Sequence, residues 1–78
     1  TIVEMRNRAE EMRKNEAEKT LKNLSHLSYD DQKAIHQLTQ SLVNKLLHKP
    51  TINLKKKTQS KDGHVYLKAI RHLFHLDD

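Results

Sequence analysis

Cysteine is absent from this chain of 78 residues, and glycine and proline occur once each. Without cysteine there is no disulfide, no thiolate metal site and no cysteine nucleophile, and the chain suits a reducing compartment. One Gly and one Pro leave almost no turn chemistry, no Gly-rich phosphate loop and no Asn-Gly hairpin signal, so the fold class read from the sequence is all-α. Aromatic residues make up only 4% of the chain, too few for base-stacking platforms. No apolar run approaches the roughly 18 to 20 residues of a membrane span, and no signal-peptide pattern opens the sequence. The expectation is a cytoplasmic protein with no membrane contact.

A domain this small, with 35% hydrophobic residues, buries little apolar surface. It usually needs a disulfide, a metal or a partner chain to fold stably. Oligomerisation is the route left open. The first residue is Thr rather than Met, which reads as a piece of a longer protein.

Thr1-Ile2-Val3-Glu4 has capping-box spacing, in which the Thr hydroxyl accepts from the Glu4 amide and the Glu4 side chain reaches back. From there the pattern predicts a helix to about Leu24, roughly 36 Å long. Glu4 and Arg8, Glu10 and Lys14, and Glu18 and Lys22 place acid before base at i,i+4, each pair adding a few tenths of a kcal/mol at most. The apolar stripe is thin: Ile2, Met5, Ala9, Met12, Ala17, Leu21 and Leu24, with a five-residue step after Met12 that breaks the coiled-coil rhythm.

Ser28 reads as the N-cap of a second helix, with Asp30 and Asp31 facing its dipole. Residues 34 to 44 hold no Asp, Glu, Lys or Arg, although 32% of the chain is charged. Ile35, Leu38, Leu42 and Leu46, widened by Val43 and Leu47, form a broad stripe of the kind that packs on more than one side. Pro50 ends or kinks this helix. Thr51 then caps a short further segment burying Ile52 and Leu54. Residues 59 to 63 read as a loop, and a closing helix from about His64 to Leu76 carries Tyr66, Ile70, Leu73 and Phe74 on one face. The fold expected is three to four helices in one domain over residues 1–78: a long first helix, a central apolar helix kinked at Pro50 and a closing helix, paired with a second copy into a dimeric helical bundle. The candidate interface and core residues are Ile35, Leu38, Leu42, Val43, Leu46, Leu47, Leu54, Ile70, Leu73 and Phe74.

Charge is uneven. Residues 1 to 31 carry a net −1 and residues 32 to 78 a net +6. Lys55-Lys56-Lys57 is a candidate phosphate contact, and hence a candidate tRNA contact, although such runs are more often solvated faces. Six histidines raise the question of a metal, since His72 and His75 are i,i+3 with His64 a turn or two before. No Asp, Glu or Cys joins them at a matching spacing, and surface or packing histidine is the preferred reading. His48 reads as a packing or helix-end residue.

Leu42-Val43-Asn44-Lys45-Leu46-Leu47-His48-Lys49-Pro50-Thr51 resembles the signature of the dimerisation domain of glutamyl-tRNA reductases. Arg8-Ala9-Glu10-Glu11-Met12-Arg13 resembles the end of that family's long connecting helix, which places residues 1–24 there. Leu27-Ser28 with the acids after it resembles the family's turn, and the stretch from Tyr66 to Phe74 its closing helix. The resemblance covers essentially the whole chain. It implies a homodimerisation domain of an NADPH-dependent enzyme that reduces glutamyl-tRNA to glutamate-1-semialdehyde for tetrapyrrole (porphyrin) synthesis. It also implies that the nucleophilic cysteine and the NADPH-binding domain lie outside these residues, so that this segment holds no cofactor and catalyses nothing. Two other readings compete: a free-standing basic helical module binding nucleic acid, and a coiled-coil adaptor, against which the five-residue step and the Ser28 cap argue.

Overall fold

The computed structural model describes residues 1–76. Three helices follow in order: α1 (Ile2–Lys22), α2 (Tyr29–Lys57) and α3 (Gly63–Leu73). Ser28 caps α2 as expected, its hydroxyl accepting from the Asp31 amide at 3.1 Å. Thr1 is the N-cap of α1, but its hydroxyl makes no capping bond; only the Glu4 carboxylate reaches back, to the Thr1 amine at 3.4 Å. Helix α1 stops two residues before Leu24, which lies in the turn that follows.

Pro50 does not end the second helix. Helix α2 runs 29 residues, continuing for seven beyond the proline. Pro50 lacks the amide proton that would bond to the Leu46 carbonyl, and an interior proline costs about 3 kcal/mol. Tertiary contacts on both sides of it offset that cost. Thr51 and Leu54 are buried immediately after it. The Arg6 guanidinium on α1 reaches across it, donating to Asn44 Oδ1 before the proline and to Thr51 Oγ1 after it, both at 3.1 Å. Thr51 is therefore an interior helical residue instead of a cap, and Ile52, expected inside, is exposed. The architecture is three helices, with residues 51 to 57 continuing α2 instead of forming a separate element.

At the end of α2, Thr58 Oγ1 donates to the Lys55 carbonyl at 3.0 Å and Ser60 Oγ to the Lys57 carbonyl at 2.6 Å, taking up carbonyls the helix leaves without partners. Gly63 then opens α3 instead of closing a loop. It is buried against the end of α2, where a Cβ would lie 2.7 Å from the Thr58 carbonyl oxygen and 2.8 Å from the Thr58 Cα. Only glycine lets the two backbones come this close. Helix α3 ends three residues before Leu76, with His75 in the left-handed region at φ 55°. The Leu76 amide bonds back to the Arg71 carbonyl at 2.8 Å and the His75 amide to that of His72 at 3.3 Å, a Schellman close with histidine in the glycine position.

Helices α1 and α2 run antiparallel: Arg6 near the start of α1 meets Thr51 late in α2, while Arg13 further along α1 meets His36 and Thr39 early in α2. The far end of α3 returns to α1, where Arg71 pairs with Glu4 at 2.7 Å and Arg8 donates to the His75 carbonyl at 3.2 Å. The fold is long and flat, 53 × 25 × 12 Å. Its radius of gyration, 15.8 Å, exceeds the roughly 11.5 Å of a compact chain of this length. The helices form a single layer. Among the described residues the buried apolar side chains are Met5, Ala17 and Leu54, and of these Met5 is fully enclosed.

Candidate functional site

A single helical layer has two faces, and here they differ in chemistry. Along α2 the spacing of four repeats brings Leu38, Leu42 and Leu46 onto one line, 60%, 53% and 72% exposed. Beside this line a groove of about 310 Å³ opens between α1 and α2, with Ala17, Ile35, Leu42 and Val43 among its walls. Leucines exposed at i, i+4 and i+8, flanked by such a groove, make a contiguous apolar surface of the kind that marks a site of association.

The candidate interface residues therefore separate into three groups. Leu54 is buried within the chain. Ile35, Val43, Leu47, Ile70 and Phe74 are half-buried between helices. Leu38, Leu42, Leu46 and Leu73 stand in solvent. Met12, on the thin stripe of α1, is also exposed, and it shares a surface depression with Leu73 and Phe74 where α3 comes back to α1.

Polar clasps hold the layer together. Arg13, its side chain only 8% exposed, donates Nε to Glu10 Oε2 at 2.9 Å and Nη1 to Thr39 Oγ1 at 3.1 Å, with longer contacts of 3.4 Å to the His36 carbonyl and ring. Through Glu10 and Arg13 the charged side of α1 is tied to the uncharged stretch of α2. The Arg13 guanidinium holds the Glu10 carboxyl below the usual carboxylate range, while Glu10 in turn raises Arg13. Hydrogen bonding from Arg71 likewise lowers Glu4, against a smaller opposing effect of burial. None of the three i,i+4 pairs read from the sequence is among the ion pairs of the described residues: Glu4 turns to Arg71 and Glu10 to Arg13. Exposed i,i+4 pairs contribute little, and partners on another helix or within the same turn compete with them.

The three consecutive lysines do not form one patch. At about 100° per residue, Lys55, Lys56 and Lys57 point to different sides of α2. Lys57 stands over the Tyr66 ring at 5.7 Å, whereas Lys55 lines a second groove with Arg6, Asn44 and His48. His48 sits in the helix interior of α2, exposed, and not at a helix end.

The residues whose structural role the sequence pattern did not show are Arg6, Arg13, Asn44, Thr51 and Gly63. One signal was available: Asn44 and Thr51 are polar, seven apart and thus on one face of the apolar helix. No group of His, Asp and Glu that could hold a metal is formed among the described residues, and no helix among them is long and apolar enough to cross a membrane.

The family described as glutamyl-tRNA(Glu) reductase, dimerisation domain, matches residues 1–76. Among curated relatives, the glutamyl-tRNA reductase of Syntrophotalea carbinolica is 43% identical over 76 residues, 97% of this chain and 17% of the relative. That of Trichlorobacter lovleyi is 47% identical over 77 residues, 99% of this chain and 18% of the relative. That of Syntrophobacter fumaroxidans is 41% identical over 78 residues, 100% of this chain and 17% of the relative. The chain thus spans less than a fifth of the length of these relatives, and no solved structure matches it. The exposed leucine face, the all-helical layer and the match over residues 1–76 agree: the chain belongs to the dimerisation-domain family of glutamyl-tRNA reductases.

Proposed function

We propose that this chain is a homodimerisation module whose second layer is supplied by another copy of itself. The observation that carries the reading is the single helical layer: among the described residues, three buried apolar side chains inside and Leu38, Leu42 and Leu46 outside. Domains are built from at least two packed layers around a shared core. A two-fold axis beside α2 places the leucine line of one copy against that of the other, a self-complementary contact. Ile35 and Val43 flank the seam, and Met12, Leu73 and Phe74 extend it toward α3. Burying one exposed leucine fully contributes about 1.5–3 kcal/mol, so six of them across a symmetric seam match the whole stability of a small domain.

The parent protein is, on this reading, an NADPH-dependent glutamyl-tRNA reductase that feeds tetrapyrrole synthesis in the cytoplasm. The module contributes assembly; the nucleophile and the NADPH site belong to other parts of the enzyme. The sequence supports this division, since it has no cysteine and its one glycine, Gly63, is occupied in joining α2 to α3. The test is the melting temperature as a function of protein concentration. Folding linked to association makes it rise with concentration. A melting temperature that stays constant across a hundredfold dilution, with helicity unchanged, would overturn the proposal.

A further inference from the structure

The opposite face of the layer carries the second groove, between the first turns of α1 and the later half of α2. Two chemistries meet in it. Ile2 and Val3 of α1 and Ile52 of α2 supply apolar surface, with Val3 70% and Ile52 39% exposed. Arg6, Asn44, His48 and Lys55 supply polar groups. Asn44, His48, Thr51 and Lys55 are spaced by four, three and four and share one side of α2, roughly 150° round the helix from the leucine line. A second copy seated on the leucines leaves this groove open.

No carboxylate lines the groove, and the sequence has no Asp or Glu from Gln32 to Lys61. Arg6 is half-buried and held by two neutral acceptors, Thr51 Oγ1 and Asn44 Oδ1. It meets no carboxylate among the described residues. Among the same residues, the side chains of His48 and Lys55 have no hydrogen-bond or ion-pair partner. The two bonds of Arg6 leave three further N–H donors in a planar fork that matches a carboxylate. A pinned guanidinium without a counter-ion, set beside exposed aliphatic side chains, calls for a ligand that carries both acid and apolar groups.

We propose that this groove is the docking site for an acidic amphipathic helix of a partner protein. Such a helix lays apolar residues spaced at i, i+3, i+4 and i+7 into a groove between helices. Ile2, Val3 and Ile52 meet that stripe, and Arg6 and Lys55 meet Asp or Glu along its edges. Asn44 to Lys55 spans about 16 Å, the length of about eleven helical residues. A bare polyanion fits less well, because it neutralises the cations and leaves Val3 and Ile52 in water. A second copy of this chain also fits less well. Its Glu4 and Glu10 are already engaged by Arg71 and Arg13, and its leucine line lies on the other face. The proposal concerns a groove formed within one chain and does not rest on self-association.

The test uses the whole chain and a fluorescently labelled helical peptide with leucines at i, i+3, i+4 and i+7 and glutamates flanking them. Binding is followed by anisotropy, beside a peptide of the same composition shuffled to lose the stripe and a labelled RNA stem-loop. Wild type is expected to prefer the striped peptide over the shuffled one roughly ten-fold. Val3→Ser is expected to weaken that binding about five-fold at every salt concentration. Lys55→Gln is expected to weaken it about five-fold at low salt, with the difference fading as salt rises. Val65→Ser and Lys68→Gln, matching changes on exposed positions of α3, are the controls and are expected to bind as wild type does. Arg6 is left intact because it also joins α1 to α2. The proposal is overturned if wild type does not distinguish the two peptides, or if the groove variants behave like their controls. Loss confined to Lys55→Gln, with RNA bound more tightly than the striped peptide, marks a polyanion site and overturns it as well. A solution mass recorded for each variant keeps the outcome separate from that of the dimer: a fall in mass in Val3→Ser or Lys55→Gln would put the groove in the self-association seam and overturn the proposal.

Discussion

Arg6 and Thr51, 45 positions apart in the chain, meet across the two long helices through a 3.1 Å hydrogen bond from Nη1 to Oγ1. With Asn44 as its other acceptor, Arg6 fastens α1 to α2 on both sides of Pro50. A proline that would otherwise end α2 is carried through because residues before and after it are held by the same guanidinium.

Thr51→Val keeps the shape of the side chain and removes the acceptor. Hydrogen bonds to charged groups contribute about 1.5–3 kcal/mol, and the Asn44 bond remains, so the expected loss is about 1–2 kcal/mol. Arg6→Ala removes both bonds and is expected to lower the melting temperature further. Amide exchange in residues 52 to 57 should speed up in both variants more than in residues 35 to 43. Uniform changes along α2 would show that Pro50 needs no such support.

Gly63→Ala places a methyl group 2.7 Å from a backbone carbonyl oxygen that no rotamer change can move. Alanine favours the helix by up to about 1 kcal/mol, but relieving the overlap costs about 1–3 kcal/mol, so destabilisation wins. The chain should melt earlier, with α3 losing amide protection first. An unchanged or raised melting temperature would contradict the close approach of α2 and α3.

The carboxyls of Glu4 and Glu10 are lowered by their arginine partners, so their protonation constants are lower in the folded chain than in the unfolded one. Between the two values the unfolded state binds more protons, and folding is favoured by rising pH. Their contribution is thus present above the ordinary carboxylate pKa of about 4.3 and is lost as pH falls below it. Both groups are largely exposed, so the effect is small. Glu4→Gln and Glu10→Gln should each lower the melting temperature slightly at neutral pH, with the difference from wild type shrinking as acid protonates the two carboxyls in the folded chain. A difference that persists in acid would point to a steric role.

Much of the fold was legible because it is written locally. The Ser28 cap depends on Ser28 and Asp31, three positions apart, and the apolar stripe of α2 on its own spacing. What escaped is non-local. Continuation of α2 through Pro50 depends on Arg6; the loss of the Glu4–Arg8 pairing depends on Arg71, 67 positions from Glu4. The place of Gly63 depends on where Thr58 lies. For the candidate interface, periodicity showed that Leu38, Leu42 and Leu46 share a line but not that α1 packs to one side and leaves it uncovered. The lysine run is adjacent in sequence, whereas helical rotation separates Lys55 from Lys57.

Leu42→Asp puts a carboxylate at the centre of the proposed seam, where burial without a partner costs several kcal/mol. The variant should become monomeric or unfold, whereas Glu11→Ala, on the exposed side of α1, should change the melting temperature by a fraction of a degree to a few degrees. Leu42 is half-exposed within one chain, so a variant whose only defect is lost self-association is the informative result. Wild-type mass and melting temperature in Leu42→Asp would place the seam elsewhere.

The central claim is that one helical layer is incomplete until a second copy covers its leucines. Light scattering of the purified chain at tens of micromolar tests it most directly. A solution mass of twice the 9.2 kDa chain is the predicted result. A folded species of 9.2 kDa at that concentration would contradict it.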